Sequence, residues 1–451
     1  MAGGCATDAS DVDPDPIDEG DDMDDNDGDD GDGDVQPDPV AWMRVGGNGD
    51  SAVGKLSADG GRLVFTSQAT NLVDGDLNQA ADAFVLSRLS MGVQRVSVSS
   101  SGDEAIGPKK AHDAAAWVTE PTISADGSAV SFVSGADNLV QHDTNYAADL
   151  FVHRLETGET TRANVGTDGS EADWDRPAGA LSGDGRYVSF FSHASSLVAD
   201  SGCVGVYLRD RTMGTTSMTS LTWQGNPDTG CASGGDGEAT ISSDGSTLAF
   251  SFQGGDIVEE LETNDLQIYV RDRIGGGSEL ISMGADGAAG AGDSAAPQLT
   301  DDGALVAFQS DAANLFDGDV NRDSDVFVRD RINGVTELVS IAADGGAANG
   351  PSSSLSITAD GRYVVFVSAA SNLVAGDDNG VADVFVRDRI AGVTKVVTAP
   401  MTGDDADGES FTAVISGNGR VIAFSSAASN FITGDDNDAV DIFIAPNPFV
   451  E

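Results

Sequence analysis

The amino-acid sequence predicts an all-β fold, a seven-bladed β-propeller of four-stranded blades, closed by an N-terminal strand that joins the C-terminal blade. Three observations predict it. A marker of the form Ser/Thr-x-Asp-Gly recurs at Asp59, Asp126, Asp184, Asp244, Asp302 and Asp360, and as Asn-Gly at Asn418, with spacings of 67, 58, 60, 58, 58 and 58 residues. Six residues after each marker stands a phenylalanine: Phe65, Phe132, Phe190, Phe250, Phe308, Phe366 and Phe424. The last copy ends one strand short, while the first is preceded by one strand too many. A period of this length is the signature of a repeat architecture. A four-stranded sheet of about 58 residues cannot cover both of its faces, and seven of them stacked around an axis cover one another.

The elements follow in chain order. Between Asp8 and Asp38 lie 16 acidic residues, and no basic residue occurs before Arg44. Such a segment has little apolar surface to bury and repels itself, so residues 1–38 read as a disordered acidic tether, with the propeller at 39–451. Met1-Ala2-Gly3-Gly4-Cys5 resembles the truncated end of a bacterial lipoprotein signal, which implies a lipid-modified Cys5; the basic and apolar regions expected upstream are not in the sequence. Val40 to Val45 (VAWMRV) reads as an orphan fourth strand. The sixth unit shows the pattern of a blade. Strand a (Leu355 to Thr358) ends at Asp360-Gly361, a dipeptide suited to a tight hairpin. Strand b is RYVVFVS (Arg362 to Ser368), strand c DVFVRDR (Asp383 to Arg389) and strand d VTKVVT (Val393 to Thr398), each rich in the β-branched and aromatic residues strands favour. The final unit stops after its strand c, Asp441 to Ala445. The spare strand at the start therefore completes the last sheet.

Charge bounds the function. The chain carries 23 Lys+Arg against 75 Asp+Glu, a net charge of −52. That excludes a basic footprint for nucleic acid, and no apolar run is long enough to span a membrane, leaving a lipid anchor as the expected membrane contact. Five of the seven b–c loops share the pattern Asp-x-Asn-x-x-x-Asp, at Asp76/Asn78/Asp82, Asp143/Asn145/Asp149, Asp319/Asn321/Asp325, Asp377/Asn379/Asp383 and Asp435/Asn437/Asp441. Alternating oxygen donors followed by a further carboxylate suit Ca²⁺, the one cofactor expected. The same residues also cap turns by bonding their own backbone, and the final Asp opens strand c. Cys203 and Cys231 lie in loops that leave the same side of the third blade, so a disulfide between them is geometrically allowed and fits an oxidising compartment.

Arg-Asp-Arg closes strand c at Arg209–Arg211, Arg271–Arg273, Arg329–Arg331 and Arg387–Arg389, and the arginines are expected to pair with nearby Asp-Gly turns. His112, His142, His153 and His193 show no metal-binding spacing, and no nucleophile elbow with its partners is present, so no catalytic residue is assigned. The stretches ITADGRYVVF (Ile357–Phe366) and DVFVRDR (Asp325–Arg331 and Asp383–Arg389) resemble the TolB-type, WD40-like propeller repeats of bacterial envelope proteins, over nearly all of Val40–Val450. The resemblance implies the fold. TolB carries an additional α/β domain for which no stretch is left here, so a Tol–Pal role does not carry across. The function expected is non-enzymatic binding by a monomer in the cell envelope or secreted, presenting an acidic loop face to a protein or glycan. The alternative is an enzyme acting on a polymer, a lyase or hydrolase, at the central channel.

Overall fold

A computed structural model of the chain describes residues 42–107, 118–173, 177–199, 204–226, 237–253, 256–259, 261, 263–319, 321, 323–399 and 406–450, all within the unit Pro39–Glu451. They form seven four-stranded antiparallel sheets, six of them simple meanders and the seventh a three-strand meander completed by a strand from the N-terminal end, and no helix occurs among them. The sixth blade runs a (Ser352–Ile357), b (Tyr363–Ser368), c (Asp383–Asp388), d (Val393–Val396), so strand a begins three residues earlier than its apolar core suggests. Strands a of successive blades pack side by side around the axis, and that of blade seven (Ser410–Ile415) packs on that of blade one (Ser51–Leu56).

The ring is sealed as the termini imply. Met43–Val45 pairs antiparallel with strand c of blade seven (Asp441–Pro446), setting Arg44 opposite Phe443. Trp42, just before it, meets Phe424 edge-on at 6.0 Å and stacks on Phe431 at 5.8 Å.

Each marker phenylalanine has the same role. Cross-strand neighbours in an antiparallel pair lie close enough for rings to stack. Phe65 stacks on Phe84, Phe132 on Phe151, Phe190 on Tyr207, Phe250 on Tyr269, Phe308 on Phe327, Phe366 on Phe385 and Phe424 on Phe443, with centroids 5.6 to 5.9 Å apart. These rings are buried, and the apolar clusters around them draw residues from two adjacent blades at a time, as blades six and seven do around Phe424 and Phe443. The core is thus a ring of seams between sheets.

The Ser/Thr-x-Asp-Gly marker also has a local cause. In blade one the Ser57 hydroxyl donates to Asp59 (2.6 Å), Asp59 accepts the Gly61 amide (2.8 Å), and Gly60 takes a φ of 70° that a side chain would oppose. The residue x is Ala58, Ala125, Gly183, Ser243, Asp301, Ala359 or Gly417, because these a–b turns converge on the axis. Ala58 donates its amide to Ala125, Gly183 to Ser243, Asp301 to Ala359 and Ala359 to Gly417, while Asn418 returns to Ala58. A Cβ on Gly417 would sit 3.1 Å from Ala58.

Candidate functional site

In a meander the b–c and d–a loops leave one end of the ring and the a–b and c–d turns leave the other. All five acidic motifs fall at the first end. In each, the asparagine (Asn78, Asn145, Asn321, Asn379 or Asn437) is the hub of the loop. Every one of them is engaged by the protein itself, in the turn-capping role that the sequence also allows. The Oδ1 of Asn78 accepts the Ala80 amide, that of Asn145 the Ala147 amide, that of Asn321 the Asp323 amide, that of Asn379 the Val381 amide and that of Asn437 the Ala439 amide, at 2.9 to 3.2 Å. The Nδ2 groups donate to the aspartate four residues on: Asn78 to Asp82, Asn145 to Asp149, Asn321 to Asp325, Asn379 to Asp383 and Asn437 to Asp441.

The same Nδ2 groups reach a carbonyl of the d–a loop. Asn78 bonds Ala105, Asn145 bonds Ala172, Asn321 bonds Ala348 and Asn379 bonds Ala406, while Asn437 bonds Gly47 across the ring closure. The physical reason is geometric: a side-chain amide two residues after the first aspartate mimics a backbone turn and faces the neighbouring loop. The closing aspartate is buried at the start of strand c. In four blades it accepts from the end of strand d: Ser97 to Asp82, Asn164 to Asp149, Ser340 to Asp325 and Thr398 to Asp383, at 2.5 to 2.8 Å. The first aspartate caps the turn in blade five, where Asp319 accepts the Asn321 amide at 3.3 Å. Each motif therefore ties two loops and two strands together.

The copies differ on strand d, at the residue opposite the strand-c aromatic. In blades one, two and seven this residue is an arginine: Arg95 faces Phe84, Arg162 faces Phe151 and Arg44 faces Phe443. Arg95 lies 3.4, 3.3 and 3.0 Å from Asp76, Asp82 and Glu104. Arg162 lies 3.4, 2.8 and 2.6 Å from Asp143, Asp149 and Glu171, and Arg44 reaches Asp435 and Asp441 at 2.8 and 2.6 Å. In blades five and six the same register holds Leu338 and Val396. Under the loop of blade six a cavity of about 50 Å³ is lined by Asp377, Asn379, Asp383, Val396 and Thr398 among others. Sequence reasoning missed these arginines, although a signal was there: Arg95 follows Asp82, and Arg162 follows Asp149, by the same 13 residues.

One guanidinium among three acids cannot neutralise them all. Burial, then the Asp149 charge, pushes Asp143 up to about 7 against the opposing pull of Arg162. Arg162 itself is held above its ordinary value, because its short contacts go to Asp149 and Glu171 while Asp143 is the farthest of its acids. Burial raises Asp435 to about 6 despite Arg44, and Asp325 to about 6 despite the Ser340 hydroxyl. Among the described residues no three His, Cys, Asp or Glu side chains converge to hold a metal by themselves. A Ca²⁺ in such a loop would need the remaining lone pair of the asparagine Oδ1 and main-chain carbonyls beside its two aspartates.

The other end of the ring is organised differently. The second arginine of each Arg-Asp-Arg donates to the glycine carbonyl of its a–b turn rather than to the aspartate: Arg211 to Gly185, Arg273 to Gly245, Arg331 to Gly303 and Arg389 to Gly361, at 2.6 to 2.7 Å. Arg88 and Asn447 do the same for Gly60 and Gly419. Blade two has Leu155 at that place, and Arg62 reaches over from blade one to the Gly127 carbonyl. The first arginine bonds a hydroxyl on strand d, as Arg387 does with Thr394 at 3.1 Å.

The histidines lie apart. His153 is buried with its Nδ1 2.9 Å from the Thr160 hydroxyl, and burial lowers its pKa. His193 packs edge-on to Phe191, and His142 is exposed in its loop. The described strands a carry no His, Arg or Tyr; Lys55, whose pKa burial lowers, and Glu120 are their ionisable side chains. Cys5, Cys203, Cys231 and His112 lie outside the described residues.

No protein-family model matches the chain, and no curated protein matches it in sequence. Solved structures share its fold. An oligogalacturonate lyase from Vibrio parahaemolyticus is 14% identical over 92% of this chain and 95% of that one, with a TM-score of 0.50. The β-propeller domain of the Trilobed protease from Pyrococcus furiosus, described as having an open velcro topology, is 9% identical over 88% of this chain and 95% of that one, again at 0.50. TolB from Acinetobacter baumannii is 13% identical over 89% of this chain, at a TM-score of 0.40, and this chain spans 64% of that protein's length. Likeness at these identities establishes the propeller alone, and the propeller hosts lyases and peptidases as readily as binding proteins.

Proposed function

We propose that the protein is a non-enzymatic binding propeller of the cell envelope or secreted space, whose acidic b–c/d–a face takes a cationic segment of a protein partner or a glycan bridged by calcium. One observation carries the reading: charge is segregated between the two ends. Among the described residues the cations of the loop face are Arg44, Arg95 and Arg162, and each is held inside its own loop by two or three carboxylates. The described part of the face is left negative, and such a field concentrates cationic partners and steers their approach. Among the described residues strands a carry no His, Arg or Tyr for an axial hydrolase or lyase to work with, which supports binding over the enzymatic alternative.

The arginines also sort the calcium candidates. In blades one, two and seven a guanidinium already stands among the carboxylates, so a metal at Asn78, Asn145 or Asn437 would have to displace it or share its acids. Blade six, with Val396 and a small acid-lined cavity around Asn379, is the loop we assign to Ca²⁺, and blade five, with Leu338 and Asn321, is the second. The test is thermal unfolding of the full chain with and without calcium. Ligand at 100 times its Kd stabilises by about 2.7 kcal/mol, which reads as a rise of a few degrees. Asp377→Asn with Asp383→Asn is expected to abolish that rise, and Asp76→Asn to leave it intact. No rise at millimolar Ca²⁺, or a rise indifferent to the blade-six variant, removes the metal from the proposal. The binding reading has its own test. A fluorescent oligolysine should bind and be released as NaCl goes from about 0.05 to about 0.5 M, and a chain that ignores it has no functional acidic face. The envelope placement rests on Cys5, and intact-mass analysis of material from a bacterial membrane fraction tests its lipid. The Cys203–Cys231 bond is proposed with it, and two alkylatable thiols in the native protein would refute it.

A further inference from the structure

The c–d turns at the end opposite the acidic loops carry a feature that the binding face does not use. The residue following the second arginine, or its equivalent, is Leu89 in blade one, Ile274 in blade four, Ile332 in blade five and Ile390 in blade six, and in blade three Met213 stands one place further on. These side chains are 88%, 79%, 80%, 80% and 67% exposed. Single exposed aliphatics need no explanation, but the same slot filled in four blades, with Met213 beside it in a fifth, does. Local chemistry supplies no reason for them. Tight turns favour Gly, Asn, Asp and Ser, and an aliphatic side chain contributes nothing there. Packing supplies none either, since the side chains touch little. The turn itself is held firmly: the aspartate of Arg-Asp-Arg accepts the amides of Ile274, Ile332 and Ile390 at 2.8 to 3.0 Å. The result is a set of rigid turns, each presenting one aliphatic tip.

We propose that this rim rests on a zwitterionic lipid surface, the aliphatic tips entering the headgroup layer. Three observations favour that occupant. Repetition of the same four-stranded blade about one axis brings equivalent c–d turns to the same end of the ring, an arrangement that suits a flat interface better than a single peptide. Four arginines at this end are paired with acids: Arg186 with Asp210, Arg331 with Glu279, Arg362 with Asp388 and Arg389 with Glu337. It is therefore the end of the ring a bilayer does not repel, and docking through it turns the acidic face toward the solution. A second copy is disfavoured by charge, because each chain carries −52 and two of them repel. Blade two, with Glu156 in the slot, and blade seven, with Pro448, leave gaps in the array. The contact needs no covalent lipid and does not depend on the binding role of the other face.

Co-sedimentation of the full, unlipidated chain with sucrose-loaded phosphatidylcholine vesicles tests this. Wild type is expected to pellet with the vesicles and to pellet no less in about 1 M NaCl, because apolar insertion into a net-neutral surface survives screening. The variant Ile274→Ser/Ile332→Ser/Ile390→Ser should lose roughly tenfold or more of its partitioning, since transfer scales with apolar area. Its melting temperature should stay that of wild type. Leu77→Ser, at a site 76% exposed on the opposite face, should partition as wild type does. Failure of wild type to pellet overturns the proposal, as does equal pelleting of the triple variant. So does a concentration-dependent dimer in sedimentation equilibrium that the triple variant abolishes, which would assign the rim to a second copy.

Discussion

Asp143 shows at one residue what the acidic loops trade away. Its carboxylate lies 3.4 Å from Arg162, yet Asp149 and Glu171 hold the same guanidinium more closely, and burial raises its pKa to about 7. A group whose folded pKa is raised binds more protons folded than unfolded. Its effect on stability is therefore a loss that begins near pH 4 and is complete once pH passes its folded pKa. Asp143→Asn keeps the shape and removes that loss. We expect the variant to be more stable than wild type at pH 8 by at least about 1 kcal/mol, with the advantage shrinking as pH falls toward 4. Urea titrations across that range check it, and a constant difference at all pH values would mean that the charge of Asp143 is not the cause. The turn aspartates have the opposite sign. Against the cost of burial, the Ser57 hydroxyl and the Gly61 amide hold Asp59 below its ordinary value, so its contribution is present above pH 4 and lost in acid.

A blade is held together by residues that repeat, which explains what the sequence made legible. The marker phenylalanine, the Asp-Gly turn and the strand-c aromatic recur because every blade needs the same stacked pair and the same tight turn. A period of 58 residues exposes them without any knowledge of contacts. The loop asparagines were visible too, but not their task. Asn78 and Asn145 offer an oxygen that suits a metal as well as a turn amide, and nothing in the sequence says that their Nδ2 groups reach the Ala105 and Ala172 carbonyls. Charges were harder to read. Arg95 and Arg162 could be found from their 13-residue offset, but Arg44 precedes its aspartates Asp435 and Asp441 by nearly the whole chain and becomes their neighbour only when the ring closes. The arginine cap was expected at the Asp-Gly turn, but its acceptor was hidden, being a carbonyl that no residue type announces. That cap is predicted to matter more than the ion pair beside it. Arg389 donates to the Gly361 carbonyl at 2.6 Å and to Glu337 of the preceding blade at 2.8 Å. Arg389→Ala leaves a buried carbonyl without its arginine and should cost about 1–3 kcal/mol. Glu337→Ala removes only a half-exposed pair and should cost about 0–1 kcal/mol. Equal losses in chemical denaturation would show the ion pair, not the cap, to be the working contact.

For the whole molecule, the ring stands or falls with three residues. Every other blade draws its strands from one continuous stretch of chain, whereas blade seven borrows Met43–Val45 from the opposite terminus. That strand covers the edge of Asp441–Pro446, brings Arg44 to the acids of its loop and sets Trp42 against Phe424 and Phe431. Without it the apolar seam between blades seven and one loses Val45 and Met43, and a strand edge is left unpaired. A ring of seven sheets has no spare seam, because each sheet is covered only by its two neighbours, so opening one exposes two faces at once. A chain starting at Gly46 should therefore unfold at a markedly lower temperature than wild type and show an aggregation tendency. A chain with Trp42→Ala alone keeps the strand and loses only ring contacts, so it should fall between the two. Adding a synthetic peptide spanning Val40 to Val45 to the truncated chain should recover part of the lost stability, in proportion to peptide concentration. If the truncated chain melts like wild type, the closing strand is an ornament of the seventh sheet and the ring is held by its seams alone.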